Sequence, residues 1–354
     1  MSELRNRIGK EDALKKLSQE TFQRKTVSFY RYVIIKDPQA MRDKLWQEWN
    51  DLGVLGRIYV AHEGINAQIN VPEPVWNEFV EKLHARKEFS NIPFKVAVEE
   101  KEESFWKLTI KVKKQIVADG LTENEYDVTN VGTHLNPEEF HKAMEDENAV
   151  VVDMRNHYES RIGKFENALT PDSDTFRDEL PMVKKLLKGQ KDKKVLLYCT
   201  GGIRCEKASA YLKHNGFEDV SQLYGGIINY AHEIKKTGKK SKFIGKNFVF
   251  DDRVDEAITN DVLSQCDQCD VSSDRYVNCK NMTCNTLFIQ CAGCEEKMNR
   301  TCSTHCQKIA ALPLDEQKRK RAGVKHTFKR YRQQIRPKKY QNRLFGWFRD
   351  VFSR

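Results

Sequence analysis

The stretch Val195-Leu196-Leu197-Tyr198-Cys199-Thr200-Gly201-Gly202-Ile203-Arg204-Cys205 constrains the fold more than any other. A continuous apolar run ends in a cysteine, a short loop with two adjacent glycines follows, and an arginine closes it. Glu206 to Leu212 then reads as a helix. Buried strand, tight loop and helix in that order belong to a parallel α/β sheet covered on both faces. The same turn holds the Cys199 sulfur over backbone N–H groups at a helix N-terminus, where those donors and the helix dipole favour an anion. A thiol in that field loses its proton readily and becomes a nucleophile. An isolated cysteine in an apolar run is otherwise a packed core residue. The glycine pair Gly201-Gly202 and the closing Arg204 favour the reactive reading.

The 354 residues suffice for two or three domains. Charged residues make up 32%, and no apolar run reaches the roughly 18 residues that a spanning helix needs. The start, Met1-Ser2-Glu3-Leu4-Arg5-Asn6-Arg7, lacks the apolar core of a signal peptide, so the expectation is a cytoplasmic protein with no membrane span. Ten cysteines in such a protein point to metal binding or catalysis more than to disulfides. The net charge of +10 is uneven: residues 317–354 hold 14 Lys/Arg against Asp350, a net of +13, which leaves −3 for the rest. That basic tail, with Tyr331, Tyr340, Phe345 and Trp347 interspersed, suits an RNA phosphate backbone, or is solvated without a specific partner. Leu344 to Phe352 has the pattern of a short amphipathic helix, for which docking on the protein's own body is expected over membrane contact.

The pattern along the chain predicts an N-terminal α+β sandwich over 1–118. Strands are expected at 28–35, 55–60, 65–71, 94–98 and 108–117, with helices at 38–52 and 74–83. This roughly βαββαβ order is that of a ferredoxin-like or acylphosphatase-like sandwich. Residues 119–136 read as a linker. A parallel α/β domain follows over 137–240, with strands at 149–153, 194–198 and 220–224 and helices at 137–146, 174–188, 206–215 and 227–235. Cys199 then sits at the carboxyl end of a central strand, where open α/β sheets carry their active sites. A cysteine-rich region over 241–316 precedes the basic tail.

Around Cys199, Arg204 either closes the loop and lends positive charge to the thiolate or bonds backbone carbonyls as a structural residue. Cys205 reads as packed and inert, since cysteines so close in a tight loop seldom reach disulfide geometry. Lys207 either touches a substrate phosphate or is solvated. Asp153 and Arg155, just past a strand end, are expected to brace the loop. In the first domain, His62 and Asn66 flank a Gly-containing turn and either hold a base or phosphate or satisfy a polar turn. Lys246 and Asn247 have the same standing.

Four close cysteine pairs, Cys266/Cys269, Cys279/Cys284, Cys291/Cys294 and Cys302/Cys306, fall within 41 residues. Two are C-x2-C, a spacing whose turn points both sulfurs at one ion. Eight thiolates suffice for two closed structural zinc sites. One would use Cys266, Cys269, Cys291 and Cys294, and the other the remaining four, with His305 able to replace a neighbour. Iron–sulfur binding and disulfides are the alternatives.

Asp153 to Glu159, Gly163 to Ala168, the Cys199 loop and Gly225-Gly226-Ile227 together resemble a rhodanese domain. Rhodaneses carry sulfur as a persulfide on the loop cysteine. The loop here is Cys-x4-Arg, one residue shorter than the Cys-x5-Arg with which related phosphatases surround phosphate. The segments Ala61-His62-Glu63-Gly64-Ile65-Asn66-Ala67-Gln68-Ile69, Tyr198 to Ala208 and Phe243 to Asp251 extend the resemblance to a bacterial family, the oxygen-dependent tRNA uridine hydroxylases. The resemblance spans about residues 3–325. It implies an N-terminal small α/β domain, a central rhodanese domain and a cysteine-rich C-terminal region. It also implies Cys199 as the essential residue, molecular oxygen as co-substrate, and the tRNA anticodon region as partner, with 5-hydroxyuridine at the wobble position as product. Sulfur transfer through a Cys199 persulfide is the alternative activity. The sequence carries no flavin, haem or nicotinamide signature and no motif that assigns an oligomeric state.

Overall fold

The computed structural model describes residues 4–99, 104–121 and 125–323. The basic tail beyond Gly323, including its aromatic residues and the 344–352 segment, lies outside the described residues. The chain forms two compact units, Met1–Asn260 and Asp261–Arg354.

The first unit opens with α1 (Lys10–Leu17), a helix that the hydrophobic pattern did not suggest because only Ala13 is buried on it. Then come β1 (Arg24–Tyr32), α2 (Pro38–Asp51), β2 (Leu55–Ala61), β3 (Gly64–Pro72), α3 (Trp76–His84), β4 (Lys95–Val96) and β5 (Leu108–Val112). α2 starts where Pro38 supplies a preset φ and the Asp37 carboxylate accepts the Ala40 N–H at 2.9 Å. The sheet order is β4-β1-β3-β2-β5, with β5 parallel to β2 and the other pairs antiparallel. This is the expected ferredoxin-like sandwich with one added edge strand. Phe29, Trp49 and Phe79 meet edge-on or tilted in its core, each ring fully or almost fully buried. Burial of one such side chain contributes about 1.5–3 kcal/mol.

The parallel sheet contains β6 (Thr133–Leu135), β7 (Ala149–Asp153), β9 (Lys194–Tyr198) and β10 (Val220–Leu223) in the order β6-β10-β9-β7. Between them run α4 (Pro137–Ala143), α5 (His157–Ser160), β8 (Gly163–Phe165), α6 (Phe176–Leu186) and α7 (Ile203–His214), followed by α8 (Gly226–Thr237). α6 and α7 contribute to an apolar cluster with Val152, Val195 and Leu197; Phe140 of α4 and Tyr230 of α8 pack with Leu196 and Tyr198. Alternate residues of β9 thus face opposite layers, as a sheet covered on both faces requires.

Two differences from the sequence reading concern boundaries. Residues 119–136 contribute β6, which pairs in parallel with β10. Its three residues are too few to show a period of two. β11 (Phe243–Phe248) and β12 (Asp255–Ala257), read as part of the cysteine-rich region, belong to the first unit. β11 pairs with β8, and Phe243 packs edge-on against Phe165 at 5.3 Å.

In the second unit, β13 (Tyr276–Asn278) and β14 (Leu287–Ile289) form a hairpin, followed by α9 (Ala292–Met298), α10 (Thr304–Ala310) and α11 (Leu314–Arg321). Its small core is Val277, Cys279, Phe288 and Cys306. Among the described residues, no helix is long and apolar enough to cross a membrane.

Candidate active site

Cys199 follows β9 directly, and Gly202, at φ +98°, caps the start of α7. The Gly202 N–H donates to the Cys199 sulfur at 3.1 Å. α8 begins directly beneath: the Ile227 N–H donates to the Cys199 carbonyl at 3.0 Å and the Ile228 N–H to the Thr200 carbonyl at 3.3 Å. A Cβ on Gly226, itself at φ +67°, would stand 2.5 Å from the Cys199 carbonyl oxygen, so only glycine lets α8 approach. Burial raises the pKa of Cys199, but other influences overcome it. The Cys205 thiol, the Arg204 charge and the backbone N–H groups of Arg204 and Gly202 lower it to about 5. Cys205 is buried and held well above its usual range by burial and by Cys199, so it stays a thiol and donates to the thiolate. It is packed, as the sequence suggested, but it also tunes its neighbour.

Arg204 makes a two-pronged ion pair with Glu159 of α5, at 2.6 and 2.9 Å, and its Nη2 reaches the Thr200 hydroxyl at 3.3 Å. The loop is therefore closed by a carboxylate 45 residues away, which no local pattern indicated. Glu179 of α6 is buried, neither carboxyl oxygen is hydrogen-bonded among the described residues, and burial holds its pKa well above the usual range against the pull of Arg204. Burial thus favours its neutral form beside the site. Asp153 and Arg155 pair at 2.7 and 2.8 Å with both side chains fully buried. Arg155 also donates to the Gly163 carbonyl, and Tyr198 donates to Asp153 at 2.7 Å. They tie β7, β8 and β9 together beneath the loop.

The first domain supplies groups that the sequence reading did not assign. Lys207 neither faces solvent nor stands open to a phosphate. It is 1% exposed, and its ammonium lies 3.0 Å from Glu63, from Asp119 and from the Val117 carbonyl. Glu63 belongs to the turn between β2 and β3, so that turn docks on α7. Its other carboxyl oxygen accepts the Ile116 N–H at 2.6 Å. His62 is exposed and bonds the Ile35 carbonyl through Nδ1 at 3.0 Å, while the Asn66 amide donates to the Ile116 carbonyl at 3.3 Å. Glu206, next to Cys205, accepts from the Tyr30 hydroxyl at 2.9 Å and bonds His134 at 3.0 Å and Gln222 at 2.8 Å. Lys246 lies 3.6 Å from Asp255 on the neighbouring strand; Asn247 is fully buried, and its amide has no hydrogen-bond partner among the described residues.

In the second unit the cysteines gather into the two expected quartets, Cys266/Cys269/Cys291/Cys294 and Cys279/Cys284/Cys302/Cys306, each with its sulfurs within 4.8 Å of one another. Pairs of sulfurs lie 3.6 Å apart in both. A disulfide spans only about 2.05 Å. Four thiolates about 2.3 Å from a tetrahedral zinc are about 3.8 Å apart, so the donors present fit such an ion. His305 is in neither quartet.

A strand that delivers a low-pKa cysteine into a ring of N–H groups, on a parallel sheet behind an acylphosphatase-like sandwich, defines a multidomain enzyme of the rhodanese type. Family models agree: residues 24–116 match the UPF0176 acylphosphatase like domain, 136–233 the rhodanese-like domain and 244–307 the rhodanase C-terminal region. A tRNA uridine(34) hydroxylase of Leptospira interrogans is 55% identical over 336 residues, 95% of this chain and 92% of the relative. Proteins of the same name from Escherichia fergusonii and Yersinia enterocolitica are 48% identical, covering 91% and 93% of this chain and 93% and 94% of theirs. The chain belongs to the tRNA uridine(34) hydroxylase family.

Proposed function

We propose that this protein uses molecular oxygen to convert uridine 34 of tRNA, the wobble position of the anticodon, to 5-hydroxyuridine, with Cys199 as the reactive group. The carrying observation is the Cys199 thiolate, acidified to about 5 on a loop closed by Arg204, in a chain of this family. In this reading the thiolate adds to C6 of the uracil, and the C5=C6 electron pair moves toward O4. C5 becomes nucleophilic and takes one oxygen atom. The other leaves as water with two electrons from an external reductant and two protons; loss of the C5 proton and of the thiolate then restores the ring. The excess of basic residues over 317–354 supports contact with the RNA backbone, and each cysteine quartet holds one structural zinc.

Nucleoside mass spectrometry of tRNA from cells lacking the protein, complemented with wild type or Cys199→Ala, tests this. Return of 5-hydroxyuridine with wild type alone supports the reading, and tRNA unchanged by loss of the protein sinks it. The rhodanese-like loop favours sulfur transfer as the second reading; thiocyanate formed from thiosulfate and cyanide at Cys199 would be its signature.

A further inference from the structure

β4 has only two residues, and they are reversed from what folding alone would choose: Lys95 is 7% exposed while Val96 is 39% exposed. A one-residue slip in register would exchange them. An inward lysine on an edge strand is a known guard against edge-to-edge pairing. Here the edge is already covered, since α8 packs on β4 and His232 bonds the Val96 carbonyl at 2.9 Å. Lys95 has no hydrogen bond or ion pair among the described residues. Its ammonium instead stands 4.3 Å from the centre of the Tyr30 ring, and a cation buried without a partner is costly.

The position of Lys95 accounts for that cost. A Cβ on Gly201 would stand 3.5 Å from Lys95 Cδ, and one on Gly202 would meet the Tyr30 hydroxyl at 2.9 Å. The cysteine loop is thus bare of side chains on the side where the first domain presents Tyr30 and Lys95. Among the described residues, the charged and titratable groups that act on Lys95 are Cys199 and Glu206, with Tyr30 beneath it.

We propose that Lys95 is a substrate-contacting residue of the Cys199 site, whose ammonium takes the O4 oxygen of the uracil ring as its missing partner. The inference rests on the proposed uridine chemistry. As the thiolate adds, the S–C6 bond forms, the C5=C6 π bond breaks and the electron pair arrives on O4. Negative charge moves from one neighbour of Lys95 to another, with no proton gained or lost, and elimination reverses the step. Because ammonium only donates, the contact also selects uracil over cytosine, which presents an amino donor at C4. Burial lowers the Lys95 pKa to about 8 against the pull of Cys199 and Glu206, which keeps it mainly cationic at neutral pH.

The test compares Lys95→Met and Lys95→Arg in the full chain, using a tRNA transcript with uridine 34. Lys95→Met is expected to lower kcat about 10²–10³-fold, as loss of one oxyanion donor does, with KM for tRNA little changed and Lys95→Arg partly active. Unchanged kcat, or a loss confined to KM, overturns the proposal in favour of an edge guard or a phosphate contact. Iodoacetamide alkylation of Cys199 against pH gives a readout that needs no turnover. Removal of the cation should raise the midpoint; a midpoint that stays put in a folded variant overturns the electrostatic contact between Lys95 and the thiolate. Wild-type protein that hydroxylates no tRNA while Lys95→Met still shifts the midpoint would sink the uridine reading and the O4 contact, but leave Lys95 as the cation facing Cys199.

Discussion

Cys199 is surrounded by donors, and the proposed chemistry of the first unit rests on it. With its pKa lowered to about 5, alkylation should be nearly independent of pH from 9 to 6. Below 5 the rate should fall about tenfold per unit as the sulfur is protonated, where an ordinary cysteine titrates near 8.5. A midpoint near 8 would refute the anion ring. The same depression stabilises the fold fully above the ordinary cysteine pKa, and that contribution is lost as pH falls through about 5. The loop was readable because its residues are contiguous. Its carboxylate was not: Glu159 reaches Arg204 from 45 positions away, and α5 is a four-residue helix that leaves little periodic trace. Lys207 misled for a related reason, since a lysine in a helical pattern ordinarily points to water.

At the level of the elements, the critical fit is the start of α8 under the loop. Gly226→Ala would place a Cβ 2.5 Å from the Cys199 carbonyl on a residue at φ +67°. The left-handed conformation alone costs about 1–2 kcal/mol for a residue with a Cβ. Denaturant unfolding should therefore show a loss of at least that size, with slower Cys199 alkylation as the loop shifts. Gly189→Ala is a useful control, being at φ +82° with nothing within 4 Å. Elements with a clear period or an apolar run, such as α2, β7 and β9, were legible within a few residues. Those that escaped, among them α1, α5, β6, β8 and the elements of the second unit, are short or show little apolar pattern, and packing decides them.

For each whole unit a different interaction sets stability. In the second, the core is small and two cysteine quartets are placed as a tetrahedral ion would need them. Two equivalents of zinc per chain should appear by elemental analysis, and a strong chelator should remove them and expose residues 261–323 to protease. Metal-free protein of unchanged protease resistance would refute a structural role. In the first, Lys207 binds the sandwich to the parallel-sheet domain through Glu63 and Asp119. Removing one partner of a buried ion pair costs about 3–5 kcal/mol, so Lys207→Met should lower the melting temperature sharply. An unchanged melt would mean that the contact contributes nothing. The two C-x2-C pairs were readable from spacing, because such a turn is a local device; which pairs share a quartet was not, and the fold decides it. The Lys207 contact was not readable either, because its carboxylates come from two distant turns.

That contact also has a direction in time. The Val117 carbonyl precedes Lys207 by 90 residues, and Glu63 and Asp119 likewise come earlier in the chain. At about 5–20 residues per second of synthesis, both carboxylates emerge several seconds before the lysine they neutralise. The chain is written so that the acceptors are waiting when the cation arrives, and α7 can be drawn into place on a sandwich already made.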